Sequence, residues 1–280
     1  MAFWFLRAIF VRNSIHLEFY DAFVEFTGGW DSAAALVDGR WVERRPRHPR
    51  AEILLRRETH LMSWLAPRLP VPVPVPWVAQ REPLVVRHEL VPGEPFDPSV
   101  NNRPAVGLIG HQLGEFLRAL HATPVDAAVR HGLASAAEVR RERAELLERF
   151  RTEVVPLLPG DRKSQALDLL ESASDARTDT VVHGDLGPEH ILTDGRSLTG
   201  VIDFGDAHIG DRALDLAWAL HGAPSGFAHA VGTAYGVTDA LREGALLWHR
   251  LGPWHEVLHG LDTATPELVR TGVGGVLSRL

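Results

Sequence analysis

Hydrophobic and polar positions follow two different periods along this chain, and the changes of period divide it. Residues 33–37 and 40–44 read as two short strands. Asp38-Gly39 between them signals a hairpin, because both residue types accept the left-handed backbone that a tight turn needs. Residues 50–65 switch to helical spacing, with Ile53, Leu54, Leu61 and Leu65 apolar and charges between them. Proline and valine then alternate from Pro70 to Pro76. Proline neither donates to a β-ladder nor continues a helix, so this run predicts a stiff, extended connector. Residues 83–88 are strand-like again and end near Pro92-Gly93. The first 90 residues therefore predict a small sheet carrying one helix.

Beyond that point the pattern is mainly helical. Residues 103–122 align Val106, Leu113, Phe116, Leu117 and Leu120 on one stripe, and Ser135 to Glu138 has the spacing of a capping box. Val181-Val182, Ile191-Leu192 and Val201-Ile202 are short β-type runs separated by Gly and Asp turns, and helical patterns fill 211–222, 237–250 and 264–280. The expectation is an α+β chain of two lobes: a β-rich N-lobe over residues 1–90 and a larger, mainly helical C-lobe over residues 91–280.

Composition narrows the function classes. A length of 280 residues suits one large domain or two coupled ones, and 45% hydrophobic with 23% charged residues suits a folded globular chain. The absence of cysteine excludes a disulfide scaffold, a thiolate nucleophile and a Cys-ligated zinc site. The apolar run from Met1 to Val11 contains Arg7. It falls short of the roughly 20 apolar residues that span a bilayer. It also lacks the basic start and small-residue cleavage site of a secretory signal. A cytoplasmic protein without a membrane partner is expected. Residues 1–81 hold 11 bases against 8 acids, net +3, whereas residues 82–280 hold 18 against 28, net −10. An acidic second half argues against nucleic acid, whose phosphates require basic groups, and suits a cationic small molecule.

Two carboxylates stand out. Asp185 and Asp203 each follow a strand-like run, in His183-Gly184-Asp185-Leu186-Gly187-Pro188-Glu189-His190-Ile191-Leu192 and in Val201-Ile202-Asp203-Phe204-Gly205. Strand ends hold side chains rigidly, which suits groups that must grip a metal and orient a nucleophile. A lone Asp after a strand is commonly a turn or cap residue; the accompanying His183, Gly184, Pro188 and His190 single these two out. No Gly-x-x-x-x-Gly-Lys-Ser/Thr run exists, so a P-loop is excluded. His183, Asp185, His190 and Asp203 also admit a reading as a transition-metal hydrolase site, since His and Asp ligate zinc and manganese.

Taken together, the two stretches resemble the catalytic and metal-binding loops of the aminoglycoside phosphotransferase family, small-molecule kinases with a two-lobed, protein-kinase-like fold. That resemblance implies phosphoryl transfer from ATP or GTP to a hydroxyl of an antibiotic, conferring resistance. Asp185 would act as the catalytic base, and Asp203 with His190 would hold Mg²⁺. Gly28-Gly29-Trp30-Asp31 falls in the nucleotide-covering loop, which assigns Gly29 and Asp31 to the nucleotide. Arg44 falls in the phosphate-binding strand with Glu58 as its helix partner, and the backbone of Glu89 and Leu90 would contact the base. Gly210-Asp211-Arg212 and Asp215 fall in the segment that buttresses the catalytic loops. Asp206, Glu256 and Asp262 are the acids placed to receive the acceptor. Two residues depart from the family pattern: Arg44 stands where lysine is usual, and His190 stands where asparagine is common. The acidic second half favours a cationic acceptor, an aminoglycoside or a tuberactinomycin-type peptide. His190 keeps a macrolide acceptor open, and the two departures keep open a non-catalytic, nucleotide-binding pseudokinase. Monomer and dimer are both compatible.

Overall fold

A computed structural model describes residues 23–26, 32–99 and 103–280 of the chain; Gly29 and Asp31 lie outside the described residues. Five antiparallel strands, β1 (Phe23–Phe26), β2 (Ser32–Val37), β3 (Trp41–Pro46), β4 (Trp77–Gln80) and β5 (Val85–Glu89), form a sheet in the order β1-β2-β3-β5-β4. The β2–β3 turn is the expected one. Asp38 and Gly39 both have positive φ, 54° and 63°, and the N–H of Arg40 donates to the carbonyl of Val37 at 3.1 Å. Helix α1 (Pro49–Leu65) starts with His48, whose Nδ1 accepts the N–H of Ala51 at 3.2 Å, and with Pro49, whose missing N–H costs nothing at a helix start. Its Leu55 packs with Leu84 and Val86 of the sheet.

The proline-rich connector does more than space the elements. The carbonyl of Pro72 accepts the N–H of Val201, so the extended run is tied to the larger part of the molecule. That part comprises β6 (Glu94–Pro95), α2 (Arg103–His121), α3 (Val125–Arg130), α4 (Ala136–Arg149), α5 (Lys163–Ser174), β7 (Thr180–Val182), β8 (Ile191–Thr193), β9 (Leu198–Val201), β10 (His208–Gly210), α6 (Ala213–His221), α7 (Ser225–Tyr235), α8 (Asp239–Asp262) and α9 (Pro266–Arg279). The short strands make two separate sheets, β6-β8-β9 and β10-β7. A first core joins α1, α2, α6 and α7 to these strands through Met62, Leu113, Phe116, Val181, Ile191, Phe204, Leu216 and Phe227. A second core, with Phe150, Leu170, Trp254 and Val276, holds α4, α5, α8 and α9 together. The capping box at Ser135 is present, with Glu138 returning its carboxylate to the N–H of Ser135 at 2.8 Å. Among the described residues no helix is long and apolar enough to cross a membrane.

The helix expected over 237–250 is longer. It continues through Gly252-Pro253 to Asp262, with Pro253 buried inside it. Proline removes one helical hydrogen bond and usually ends a helix, but burial of both flanks against the second core carries this one past it. Helices α3, α5 and α7 and strands β1, β4, β6 and β10 have no counterpart in the sequence reading. Helix α7 packs against α2 and α6 and buries Phe227, Val231, Gly232 and Ala234, and its many glycines and alanines leave little contrast for periodicity to detect.

Candidate active site

Asp185 follows β7 and Asp203 follows β9, strands of different sheets, so something must hold the two turns in register. His183 does so. Its Nε2 lies 2.9 Å from the carbonyl of Ile202, and its Nδ1 accepts the N–H of Asp185 at 3.3 Å. A carbonyl can only accept, so the ring proton sits on Nε2 and Nδ1 is left as an acceptor. The ring is neutral, in line with burial that holds its pKa below the ordinary 6.5. Both ring nitrogens are thereby occupied, and His183 cannot ligate a metal. The hydrolase alternative loses its first ligand.

The turn before Asp185 is clamped from below. Asp215 on α6, 1% exposed, accepts the N–H of His183 at 2.7 Å and that of Gly184 at 2.9 Å. It also meets His121 Nε2 at 3.0 Å, while His121 Nδ1 lies 2.8 Å from the hydroxyl of Tyr235. Burial works to raise the pKa of Asp215, but the hydrogen bond and charge of His121 and the Gly184 amide outweigh it and hold the group below its ordinary 3.8. Gly184 itself has φ +89°, and a Cβ there would collide with the carbonyl of Asp206, so the turn requires glycine. Asp203 adopts a left-handed conformation, φ 65° and ψ 69°, which Asp tolerates better than most residues and which turns its carboxylate out of the strand line.

Around these turns the expected groups converge. His190 Nδ1 donates to the carbonyl of Asp185 at 2.7 Å, and its Nε2 lies 3.7 Å from Asp203 Oδ2. Arg44 Nη1 reaches both carboxylate oxygens of Glu58 at 2.8 Å, and its Nη2 lies 3.7 Å from Asp203 Oδ1. Glu58, 4% exposed, has its pKa raised by burial against the opposing charge of Arg44. Asp185 is pushed up to about 8, first by burial and then by the charges of Asp206, Asp203 and Glu189, with His190 opposing. Protein crowding also acts to raise Asp203, yet half of its side-chain surface stays open; the charges of Arg44 and His190 prevail and hold it below 3.8. For His190, burial acts downward, but Asp203, Asp185 and Glu189 raise it. Glu189 is thus a further acid at this site that sequence reading did not single out.

These residues fit a magnesium ion shared with a nucleotide. Among the described residues no three His, Asp or Glu side chains converge into an all-protein metal cage. Mg²⁺ rarely uses one; it takes one or two carboxylates and completes its shell with phosphate and water. Asp203 supplies the carboxylate. His190 is held through Nδ1 by a backbone carbonyl, the usual way of orienting an imidazole whose other nitrogen faces a metal. Burial first and the neighbouring acids second lift Asp185, and a divalent cation would relieve the repulsive part.

The remaining expected residues are placed less uniformly. Asp206 is near enough for its charge to raise Asp185. Glu256 receives the hydroxyl of Thr271 at 2.6 Å, and Asp262 pairs with Arg149 at 2.7 Å, so both are engaged by neighbouring helices. The side chain of Glu89 is exposed and paired with Arg40. The N–H of Leu90 donates to the carbonyl of Arg40 at 2.7 Å, which extends the sheet. That donor is therefore engaged within the sheet; the carbonyl of Glu89, which accepts from His88 Nδ1 at 2.8 Å, keeps a second lone pair.

Comparison with known proteins agrees with this geometry. The structure is similar to the GDP complex of wild-type aminoglycoside 2'-phosphotransferase-IIIa, with a TM-score of 0.80 at 24% identity over 95% of this chain and 93% of that one. A GDP and kanamycin complex of APH(2")-IIia matches with a TM-score of 0.82 at 24% identity, covering 95% and 94% of the two chains. Macrolide 2'-phosphotransferase MphH from Brachybacterium faecium matches with a TM-score of 0.70 at 25% identity, covering 91% of each chain. No curated protein matches by sequence. Residues 22–251 match the phosphotransferase enzyme family. With the paired acids, the Arg44–Glu58 contact and the two-lobed fold, this match makes the chain a member of that phosphotransferase family, a kinase whose acceptor is a hydroxyl.

Proposed function

We propose that the protein transfers the terminal phosphoryl group of a nucleoside triphosphate to a hydroxyl of a small-molecule antibiotic, with Asp185 as base and Asp203 and His190 as the metal-holding pair. The observation that carries this reading is the convergence of Asp203 with both His190 and Arg44, each at 3.7 Å, beside the turn that bears Asp185. Arg44, aimed by Glu58, grips phosphate oxygens; a guanidinium can do so with two parallel donors, so it replaces lysine with different geometry but the same charge. Magnesium, when bound, neutralises phosphate charge and fixes the line of transfer. Asp185 takes the proton of the incoming hydroxyl, and a metal held at Asp203 would favour its ionised, proton-accepting form. His183 and Asp215 keep its backbone still, and catalysis of this kind rests mostly on position.

The preferred acceptor is cationic, an aminoglycoside or a basic peptide, because Asp206 and Glu189 add negative charge beside Asp185 in an already acidic lobe. A macrolide acceptor is supported as the second reading by the likeness to a macrolide 2'-phosphotransferase. The test is a turnover screen with ATP and with GTP against aminoglycosides, tuberactinomycin-type peptides and macrolides, with the added phosphate detected by mass. Phosphate on a polycationic drug is the expected result. Phosphate on macrolides alone would overturn the charge argument, and hydrolysis without any phosphorylated drug would overturn the transferase reading.

A further inference from the structure

One buried polar group in the cleft has no part in the chemistry above. His88, on β5, is 7% exposed. In register it pairs with Val42, two residues from the Val86–Arg44 pair, so the alternation of strand side chains puts His88 and Arg44 on the same face of the sheet. The charges of Arg44 and Asp203 both act on His88, which places the imidazole within electrostatic range of the phosphate-binding residues. Its Nδ1 lies 2.8 Å from the carbonyl of Glu89. A carbonyl cannot donate, so Nδ1 carries the proton. Burial, the largest influence, holds the ring's pKa below 6.5, so the ring is neutral and Nε2 is a bare lone pair. Among the described residues Nε2 has no hydrogen-bond partner.

We infer that His88 selects the nucleotide base: its Nε2, fixed as an acceptor on the cleft face of β5, favours a purine with an exocyclic amine at position 6 over one with a carbonyl there, and so favours adenine over guanine. This rests on the reading above that the base lies against the backbone of Glu89 and Leu90, next to His88. An amine at that position donates to Nε2. A carbonyl sets two acceptors against each other, and protonating the ring to relieve this works against its burial.

The test is a binding titration of ADP, GDP and purine riboside diphosphate, which lacks the 6-amine, each with Mg²⁺, on the full-length protein and on His88→Leu. The wild type should bind ADP about 10- to 100-fold more tightly than GDP, the range set by one mispaired buried acceptor. It should bind ADP about 3- to 10-fold more tightly than purine riboside diphosphate, the worth of one neutral hydrogen bond. In His88→Leu both ratios should collapse to near one. The three wild-type titrations stand without the variant if it fails to fold. Equal or tighter binding of GDP by the wild type overturns the inference, as does a variant that keeps the wild-type ratios. Failure of every nucleotide to bind overturns the functional reading itself, an outcome separate from loss of selectivity alone.

Discussion

Replacing Asp185 with asparagine should lower phosphate transfer by about 10²- to 10⁴-fold, the usual contribution of a positioned base. The affinity for Mg²⁺-nucleotide should stay close to wild type. Asparagine keeps the shape of the side chain and the N–H that His183 receives, but it cannot take a proton. The loss should appear in kcat and not in the KM for nucleotide, because the interaction removed exists only as the hydroxyl is deprotonated. Steady-state kinetics on the acceptor identified by the turnover screen read this directly. A variant that keeps wild-type turnover would move the base elsewhere, with Glu189 and Asp206 the nearest acids by their effect on Asp185.

Asp215→Ala should be the most damaging change outside the cleft. It removes the acceptor of two buried N–H groups and the partner of His121 at once. Breaking a buried, hydrogen-bonded pair on one side costs about 3–5 kcal/mol. In a chain of this size that lowers the melting temperature by about 10 °C. Thermal unfolding checks the stability loss, and activity should fall with it, because the clamp sets the turn that carries Asp185. The same carboxylate makes an acid-side prediction. Its folded pKa is depressed below 3.8, so its contribution is present above that value and is lost as pH falls through the folded pKa. Asp215→Asn should therefore lose less stability than the wild type between pH 4 and the acid transition, and equal slopes would contradict the clamp.

Much of this architecture could be read from residue order, and the parts that could not have physical reasons. Asp38-Gly39 marked a turn because few other residues hold positive φ at two successive positions. Ser135 marked a helix start because its partner stands at the fixed distance of three residues. His183 to Ile202 marked two loops through residue types that seldom recur at those spacings. What brings the loops together was less visible: Asp215 was placed by family resemblance, while His121 and Tyr235 come from α2 and α7, remote in sequence, and meet it only after packing. Helix α7 escaped because its glycines and alanines blur the contrast between its faces. The engaged N–H of Leu90 and the fixed tautomer of His88 depend on strand register and on one carbonyl, which no residue pattern encodes. Glu256 and Asp262 illustrate the opposite limit, since acidity alone marked them and the fold gives each a neighbouring partner.

The account stands on two acids jointly holding a metal-loaded nucleotide beside an alcohol. Calorimetric titration of nucleotide with and without Mg²⁺, in the wild type and in Asp203→Asn, tests it most directly. The wild type should gain about 10- to 100-fold in affinity from the metal, the worth of charge-assisted contacts to the carboxylate, and Asp203→Asn should lose that gain while remaining folded. A wild type indifferent to Mg²⁺, or a variant that responds to it undiminished, would contradict the account.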